Sequence, residues 1–380
     1  MKQVYFDSAA TTQLLPEVVE IMSKTLTNNY GNPSSSHGFG RSAKALMEQS
    51  RKQIAKHFNA QASEIVFTSG GTEADNLCLR SAVRDLGINT IITSKIEHHA
   101  VLHTAEQLQR EYDVNVQYVN LLEHGGIDFK HLEELLSQHS KAIVTLMHIN
   151  NEIGNKLDLQ RAVVLSKKYN ALFHSDTVQS VGHYKIDVTE TPIDYFAASA
   201  HKFHGPKGVG FAFIRKNSGL KPLIFGGEQE RGLRAGTESI HNIVGMNLAL
   251  EKAYDHLEED EENITDLKQY FIASLMSALP GVSFNGFSGE LNQSTYTVIN
   301  TCLPIAPDKA GMLQFQLDLK GIACSRGSAC QSGSNQGSHV LNEVVNSENL
   351  VKPSVRFSLS KFNTKDEIDY VVSVLKEFAS

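Results

Sequence analysis

Short apolar runs alternate with stretches of helical periodicity through most of this chain, and that alternation limits the fold more than any other feature. Ile65-Val66-Phe67, Ile91-Ile92, Ala142-Ile143-Val144-Thr145-Leu146, Leu172-Phe173 and Tyr195-Phe196-Ala197 read as strands buried on both faces. Between strands lie patterns such as Ala43, Leu46, Met47, Ser50, Ile54 and Phe58, which share one helix face at i, i+3, i+4 spacing. This rhythm predicts an α/β fold with a mainly parallel sheet covered by helices. Val209 to Ile214, after a Gly205-Pro206 turn, predicts an added antiparallel strand.

Near residue 255 the character changes. Glu258 to Glu262 is an acidic block, read as the solvated start of a helix running through Leu267, Phe271 and Leu275. A second, smaller domain is expected from there. Its strands fall around Val282 to Phe284, Tyr296 to Asn300 and Val355 to Phe357, with a closing helix at Ile368, Val371, Val372 and Leu375. At 380 residues and 41% hydrophobic, the chain has the material for two such cores.

Composition narrows the function classes. A formal charge of −7 argues against a general nucleic-acid or anionic-membrane binder. No apolar run approaches the ~20 residues of a membrane span, and Met1 to Ala10 lacks the order of a secretory signal. Four cysteines (Cys78, Cys302, Cys324, Cys330) do not suggest a disulfide framework. The expectation is a soluble, cytoplasmic protein in a reducing compartment.

Candidate chemistry sits at strand ends. Ser199-Ala200-His201-Lys202 ends one strand and turns through His204-Gly205-Pro206. Ser and His can hold a phosphate, and Lys can form a Schiff base with an aldehyde, the two attachments pyridoxal phosphate (PLP) needs; a surface lysine beside a turn is the plainer alternative. Ser69-Gly70-Gly71-Thr72-Glu73, between a strand and a helix, suits an anion on backbone N–H groups, or is an ordinary turn with Thr72 as N-cap. Asp176 and Gln179 could address a pyridine nitrogen and a phenolic oxygen, or Asp176 could simply cap a helix. His98, in Glu97-His98-His99, could lie against a flat ring and shuttle a proton, or be a packing residue.

Asn150-Asn151-Glu152 offers an amide at another strand end. Arg356, inside an apolar strand, is either in a structural ion pair or a fork for a substrate carboxylate. Cys78, Cys302 and Cys324 read as buried. Cys330 lies in a Gly/Ser-rich loop, where a thiol is either available for nucleophilic work or a plain surface cysteine. His201 and His204 form H-x-x-H without a nearby acidic or cysteine partner, so no metal is expected.

Together these segments resemble the cysteine desulfurases, PLP-dependent enzymes of fold type I in the class V aminotransferase group. The resemblance runs nearly end to end. It begins at Tyr5-Phe6-Asp7-Ser8-Ala9-Ala10-Thr11-Thr12 and Gly31-Asn32-Pro33-Ser34. It continues through the Ser69, His98, Asn151, Asp176 and Lys202 segments to Gly226-Gly227, Arg234-Ala235-Gly236-Thr237, Gly327-Ser328-Ala329-Cys330 and Arg356-Phe357-Ser358.

The resemblance implies a large PLP-binding domain (15–255) with a seven-stranded sheet, and a small α+β domain made of 1–14 and 256–380. It implies that Lys202 carries PLP and that Gly71, Thr72, Ser199 and His201 bind its phosphate. Thr237 would serve the partner subunit's cofactor in a homodimer. His98, Asp176 and Gln179 would address the ring, while Asn151, Arg356 and Asn32 would hold the substrate carboxylate. Cys330 would attack the sulfur of activated L-cysteine, become a persulfide as alanine leaves, and pass sulfur to an acceptor such as an iron–sulfur scaffold.

The phosphate loop departs from the family in reading Gly-Gly-Thr where many relatives have Gly-Ala-Thr. The chain ends at Ser380, soon after its last predicted helix, without the longer tail by which some members engage their scaffold, which leaves the acceptor open. The rival readings are selenocysteine lyase or another class V PLP reaction, and a non-catalytic module that kept the fold.

Overall fold

The computed structural model describes residues 2–325 and 337–379. A seven-stranded sheet runs in the order Ile65–Thr68, Gly210–Ile214, Tyr195–Ser199, Leu172–Asp176, Ala142–Thr145, Thr90–Thr93, Asn115–Tyr118. The strands are parallel except Gly210–Ile214, which is antiparallel to both neighbours, as its place after the Gly-Pro turn predicts. The strand Asn115–Tyr118 was not anticipated. It lies at the sheet edge, exposed or half-buried throughout, so its polar Asn115 and Gln117 leave no apolar run to read.

The doubly buried strands feed two cores. Successive side chains leave a strand on opposite faces, so Phe67 joins one core and Val66 the other. On the first face Val144, Phe173 and Phe196 pack against Met47 and Ile54 of the helix Gly38–His57 and Met246 and Leu250 of Ile240–Asp255. On the second, Ile91, Ile143 and Tyr195 meet Leu77 and Val83 of Gly71–Leu86 and Val101 and Leu108 of His99–Tyr112. Each fully buried side chain of this kind contributes about 1.5–3 kcal/mol.

A third cluster joins Val4 and Phe6 to residues between Ile264 and Leu375. Here Ser354–Ser358, Val298–Cys302 and Ser283–Phe284 form an antiparallel sheet. The helices Leu257–Ala278 and Lys365–Ala379 cover it through Phe271, Leu275, Ile368, Val371 and Leu375. The expected strands and closing helix are all present. The N-terminal strand Val4–Tyr5 pairs in parallel with Ile322–Ala323, then runs beside Ser354–Ser358 through an Asp7–Ser358 bridge. It thereby leads residues 7–12 to the edge where the parallel strands end, which in open α/β sheets is where ligands bind.

Candidate active site

The carboxyl ends of the parallel strands open onto a cleft of about 530 Å³. Its lining brings together Gly71, Thr72, His98, Asn151, Asp176, Gln179, Ser199, His201, Lys202 and Arg356. These residues come from segments scattered over nearly 300 positions.

One end is an anion cradle. The helix Gly71–Leu86 starts there with Gly70, not Thr72, as its N-cap, and its first N–H groups have no partner within the helix. Close approach requires glycine in this loop and at the start of the strand beside it. A Cβ on Gly71 would stand 2.4 Å from Val178 Cγ2, and one on Gly210 would stand 2.2 Å from the Ala198 carbonyl oxygen. Ser199 ends its strand beside Gly70, and His201 follows in a turn of 3-10 helix. His201 Nδ1 is buried with no hydrogen-bond partner, and burial lowers the pKa to about 4, with Lys202 adding to the effect. Lys207, an exposed cation, also lines this end. Glu73 would oppose an anion, but Arg234 donates to it through Nε (2.8 Å) and Nη2 (3.2 Å).

Asp176, Gln179, Lys202 and His98 line the same cleft. Asp176 ends the strand Leu172–Asp176, and its Oδ1 accepts the Val178 N–H at 2.9 Å. Gln179 Nε2 donates to the Ala9 carbonyl at 2.9 Å, and Lys202 Nζ donates to the Ala9 (2.5 Å) and Ala10 (2.9 Å) carbonyls. His98 caps the helix His99–Tyr112, where Nδ1 accepts the Ala100 N–H at 3.1 Å. That bond assigns the ring proton to Nε2. Burial lowers the His98 pKa, and the nearby Asp176 carboxylate works against that shift.

Two buried acids lie behind these groups. Burial pushes Glu97 up to about 8, although its Oε1 accepts the Met147 N–H (2.9 Å) and the Ser94 hydroxyl (3.2 Å). Asp75 is pushed well above the carboxylate range by burial and by Asp176.

Arg356, 1% exposed, is in the structural ion pair its strand position allowed. Nη1 donates to the Asn151 carbonyl (2.7 Å) and Nη2 to Asp7 Oδ1 (2.9 Å), while Nε is buried without a partner. It is an ion pair that still lines the cleft.

Asn32 and Thr237 are not brought to this cleft. Asn32 is exposed, its Oδ1 accepting the Ser34 N–H at 2.9 Å, and Thr237 is exposed after the crossing segment. Cys330 lies outside the described residues. Cys78, Cys302 and Cys324 are buried, as expected. Sequence reasoning missed Asp7, the Ala9 and Ala10 carbonyls, Lys207 and Asp75. Backbone acceptors carry no side-chain signal, and an acid on a helix face reads as ordinary polarity.

The donor set fits pyridoxal phosphate. A lysine for its aldehyde, an anion cradle with an orphaned imidazole nitrogen, and a carboxylate with an amide for its ring share one cleft.

Comparison with known proteins agrees. The model of the class-V aminotransferases matches residues 4–371. The chain is 39% identical over 377 residues to cysteine desulfurase IscS of Dictyoglomus turgidum, covering 99% of this chain and 94% of that one. It is 40% identical to cysteine desulfurase IscS of Clostridium botulinum (strain Kyoto), covering 98% and 94%. Among solved structures, a NifS-like protein superposes with a TM-score of 0.90 at 35% identity, covering 99% of both chains. SspA in complex with cysteine gives a TM-score of 0.82 at 31% identity, covering 95% of this chain and all of that one. The chain therefore belongs to the class-V aminotransferase family. Within it, its relatives are cysteine desulfurases.

Proposed function

We propose that this chain is a cysteine desulfurase. With PLP as cofactor it removes sulfur from L-cysteine, releases L-alanine and leaves the sulfur on Cys330 as a persulfide. The balance is closed: the substrate's Cβ–S bond breaks, an S–S bond forms at Cys330, and the carbon takes a proton in place of sulfur. The single observation that carries this reading is Lys202, which faces the same cleft as the anion cradle, Asp176 and Arg356.

Lys202, Gly71, Thr72, Ser199 and His201 would hold the cofactor, with His98, Asp176 and Gln179 about its ring and Thr237 acting in the partner subunit's site. When bound, PLP supplies an electron sink that weakens the bonds at the substrate α-carbon. The Lys202 amine, oriented by the Ala9 and Ala10 carbonyls, is placed to accept a proton at Nζ. His98, neutral with its proton on Nε2, gives and takes back a proton within the cleft. Asn151 and Arg356 hold the substrate carboxylate, and Asn32, exposed outside this cleft, would contribute only from the partner subunit. The buried Cys324 thiol, pushed up to about 12 by burial, is poorly suited to act as a thiolate. The nucleophile is Cys330.

The same reading includes a homodimer, a cytoplasmic setting and an acceptor protein such as an iron–sulfur scaffold. It also divides the chain into a large domain (15–255) and a small one (1–14 with 256–380). Among the described residues no helix is long and apolar enough to cross a membrane.

Protein given L-cysteine without reductant should gain one sulfur on the peptide that holds Cys330 and release one equivalent of alanine, and sulfide with further alanine should form once reductant is added. Cys330→Ser should still bind PLP and make almost no persulfide. Sulfur found on Cys324, or full turnover by Cys330→Ser, would overturn the nucleophile assignment.

A further inference from the structure

We propose that Asp7 is a positioning residue of the substrate site: its carboxylate holds the Arg356 guanidinium in the orientation that receives the substrate carboxylate. This rests on the reading of Arg356 as the carboxylate anchor.

Asp7 sits where the N-terminal segment leaves the small sheet and turns into the cleft. Its backbone is pinned on both sides of that turn. The Ser358 N–H donates to the Phe6 carbonyl at 2.8 Å, and the Ala10 N–H donates to the Asp7 carbonyl at 2.9 Å. One oxygen of its side chain, Oδ1, accepts from Arg356 Nη2 (2.9 Å) and from the Ser325 hydroxyl (2.7 Å). Ser325 is itself tied to the Arg356 backbone by reciprocal N–H to carbonyl bonds of 3.1 and 2.7 Å. Asp7, Ser325 and Arg356 therefore form a closed ring of hydrogen bonds around the base of the arginine side chain.

The consequence is a guanidinium fixed on two sides. Asp7 holds Nη2 and the Asn151 carbonyl holds Nη1, yet Nε is buried with no partner and Arg356 lines the cleft. Each Nη carries a second N–H beyond these bonds. A carboxylate in the cleft is the acceptor that matches an arginine fork. Holding the fork in place beforehand removes the ordering cost from substrate binding.

A competing electrostatic effect has the opposite sign. The Asp7 charge neutralises Arg356 and repels an incoming carboxylate, so removing it would tighten binding if net charge dominated. If orientation dominates, removing it weakens binding. The sign of the change decides between them.

The test uses the PLP-loaded protein and two amines, L-alanine and ethylamine, which differ by the carboxylate. Their dissociation constants are measured by calorimetric titration. Wild type should prefer L-alanine. Asp7→Asn should weaken L-alanine binding by about tenfold, the scale of losing one charged hydrogen bond, and leave ethylamine unchanged. Asp7→Glu should recover part of the loss. Ser325→Ala, which removes only the group that steadies Asp7, should weaken L-alanine in the same direction by about two- to threefold, and it keeps the test open if Asp7→Asn fails to fold. Unchanged or tighter L-alanine binding in a folded Asp7→Asn or Ser325→Ala protein, or equal loss for both amines, would overturn the proposal. A wild-type protein with no preference for L-alanine would instead remove the carboxylate role of Arg356, and the proposal with it.

Discussion

Lys268 lies on the inner side of the helix Leu257–Ala278, fully buried, with Nζ donating to Ser294 Oγ (2.8 Å) and the Thr295 carbonyl (2.7 Å). Burial pushes its pKa down to about 7. In the unfolded chain the same amine titrates near ~10.4. Between those values the unfolded state binds a proton that the folded state does not, so this group makes stability rise with pH from about 7 to ~10.4 and weakens the fold most below 7. Lys268→Met should therefore be the more stable protein at pH 6 by a few kcal/mol, at ~1.4 kcal/mol per pK unit, and lose that advantage toward pH 10. Urea midpoints of the two proteins across that range check it; a constant difference would show that Lys268 does not titrate there. A hydrophobic pattern marks such a position only as polar, and it took the packed helix to show what the lysine faces.

At the scale of elements, the segment that carries Thr237 is held by a buried ion pair rather than by regular structure. Glu230 and Arg231 adopt left-handed φ values of 47° and 58°, unusual for residues with side chains. The payoff is contact. Glu230 meets Arg51 of the helix Gly38–His57 in two bonds of 2.6 and 2.8 Å, and also accepts the Phe67 N–H at 2.8 Å. Arg51 further donates to the Ile65 carbonyl at 2.9 Å and lies over the Phe67 ring. Glu230→Ala leaves the buried Arg51 with Glu48 (3.1 Å from Nε) as its remaining acidic partner, so thermal unfolding should show a loss of about 3 kcal/mol, the low end for a broken buried pair. A change under 1 kcal/mol would mean the pair does not anchor the segment. The helices and buried strands were legible because their apolar periodicity repeats. This crossing segment was not, since two charged residues far apart in sequence carry no sign that they meet.

For the whole molecule, the two expected site residues outside the cleft sit in segments that also expose large aromatic side chains. Tyr30 (72% exposed) stacks on Phe39 (58%) on either side of Asn32, and Phe225 (77%) precedes the segment ending at Thr237. An exposed aromatic pair such as Tyr30 and Phe39, and a side chain as exposed as Phe225, suit interaction surfaces, and a partner that completes the catalytic site gives them a use. Sedimentation should show a dimer, and Phe225→Asp should shift it toward monomer with loss of desulfurase activity while far-ultraviolet circular dichroism is kept. A fully active monomer would rule out shared sites. What the sequence by itself determined is the layered fold and the set of chemically capable residues. Periodicity states which faces are buried, and Lys202, Asp176 and His98 stand at strand ends that a parallel sheet must bring to one edge. Only the tertiary structure decided that the Ala9 and Ala10 carbonyls receive Lys202, that Asp7 braces Arg356, and that Val178 fills the space a Cβ on Gly71 would need. Those contacts join the first dozen residues to positions near 200 and 356 and set one loop against another. They depend on distances in space, which no local pattern along the chain records.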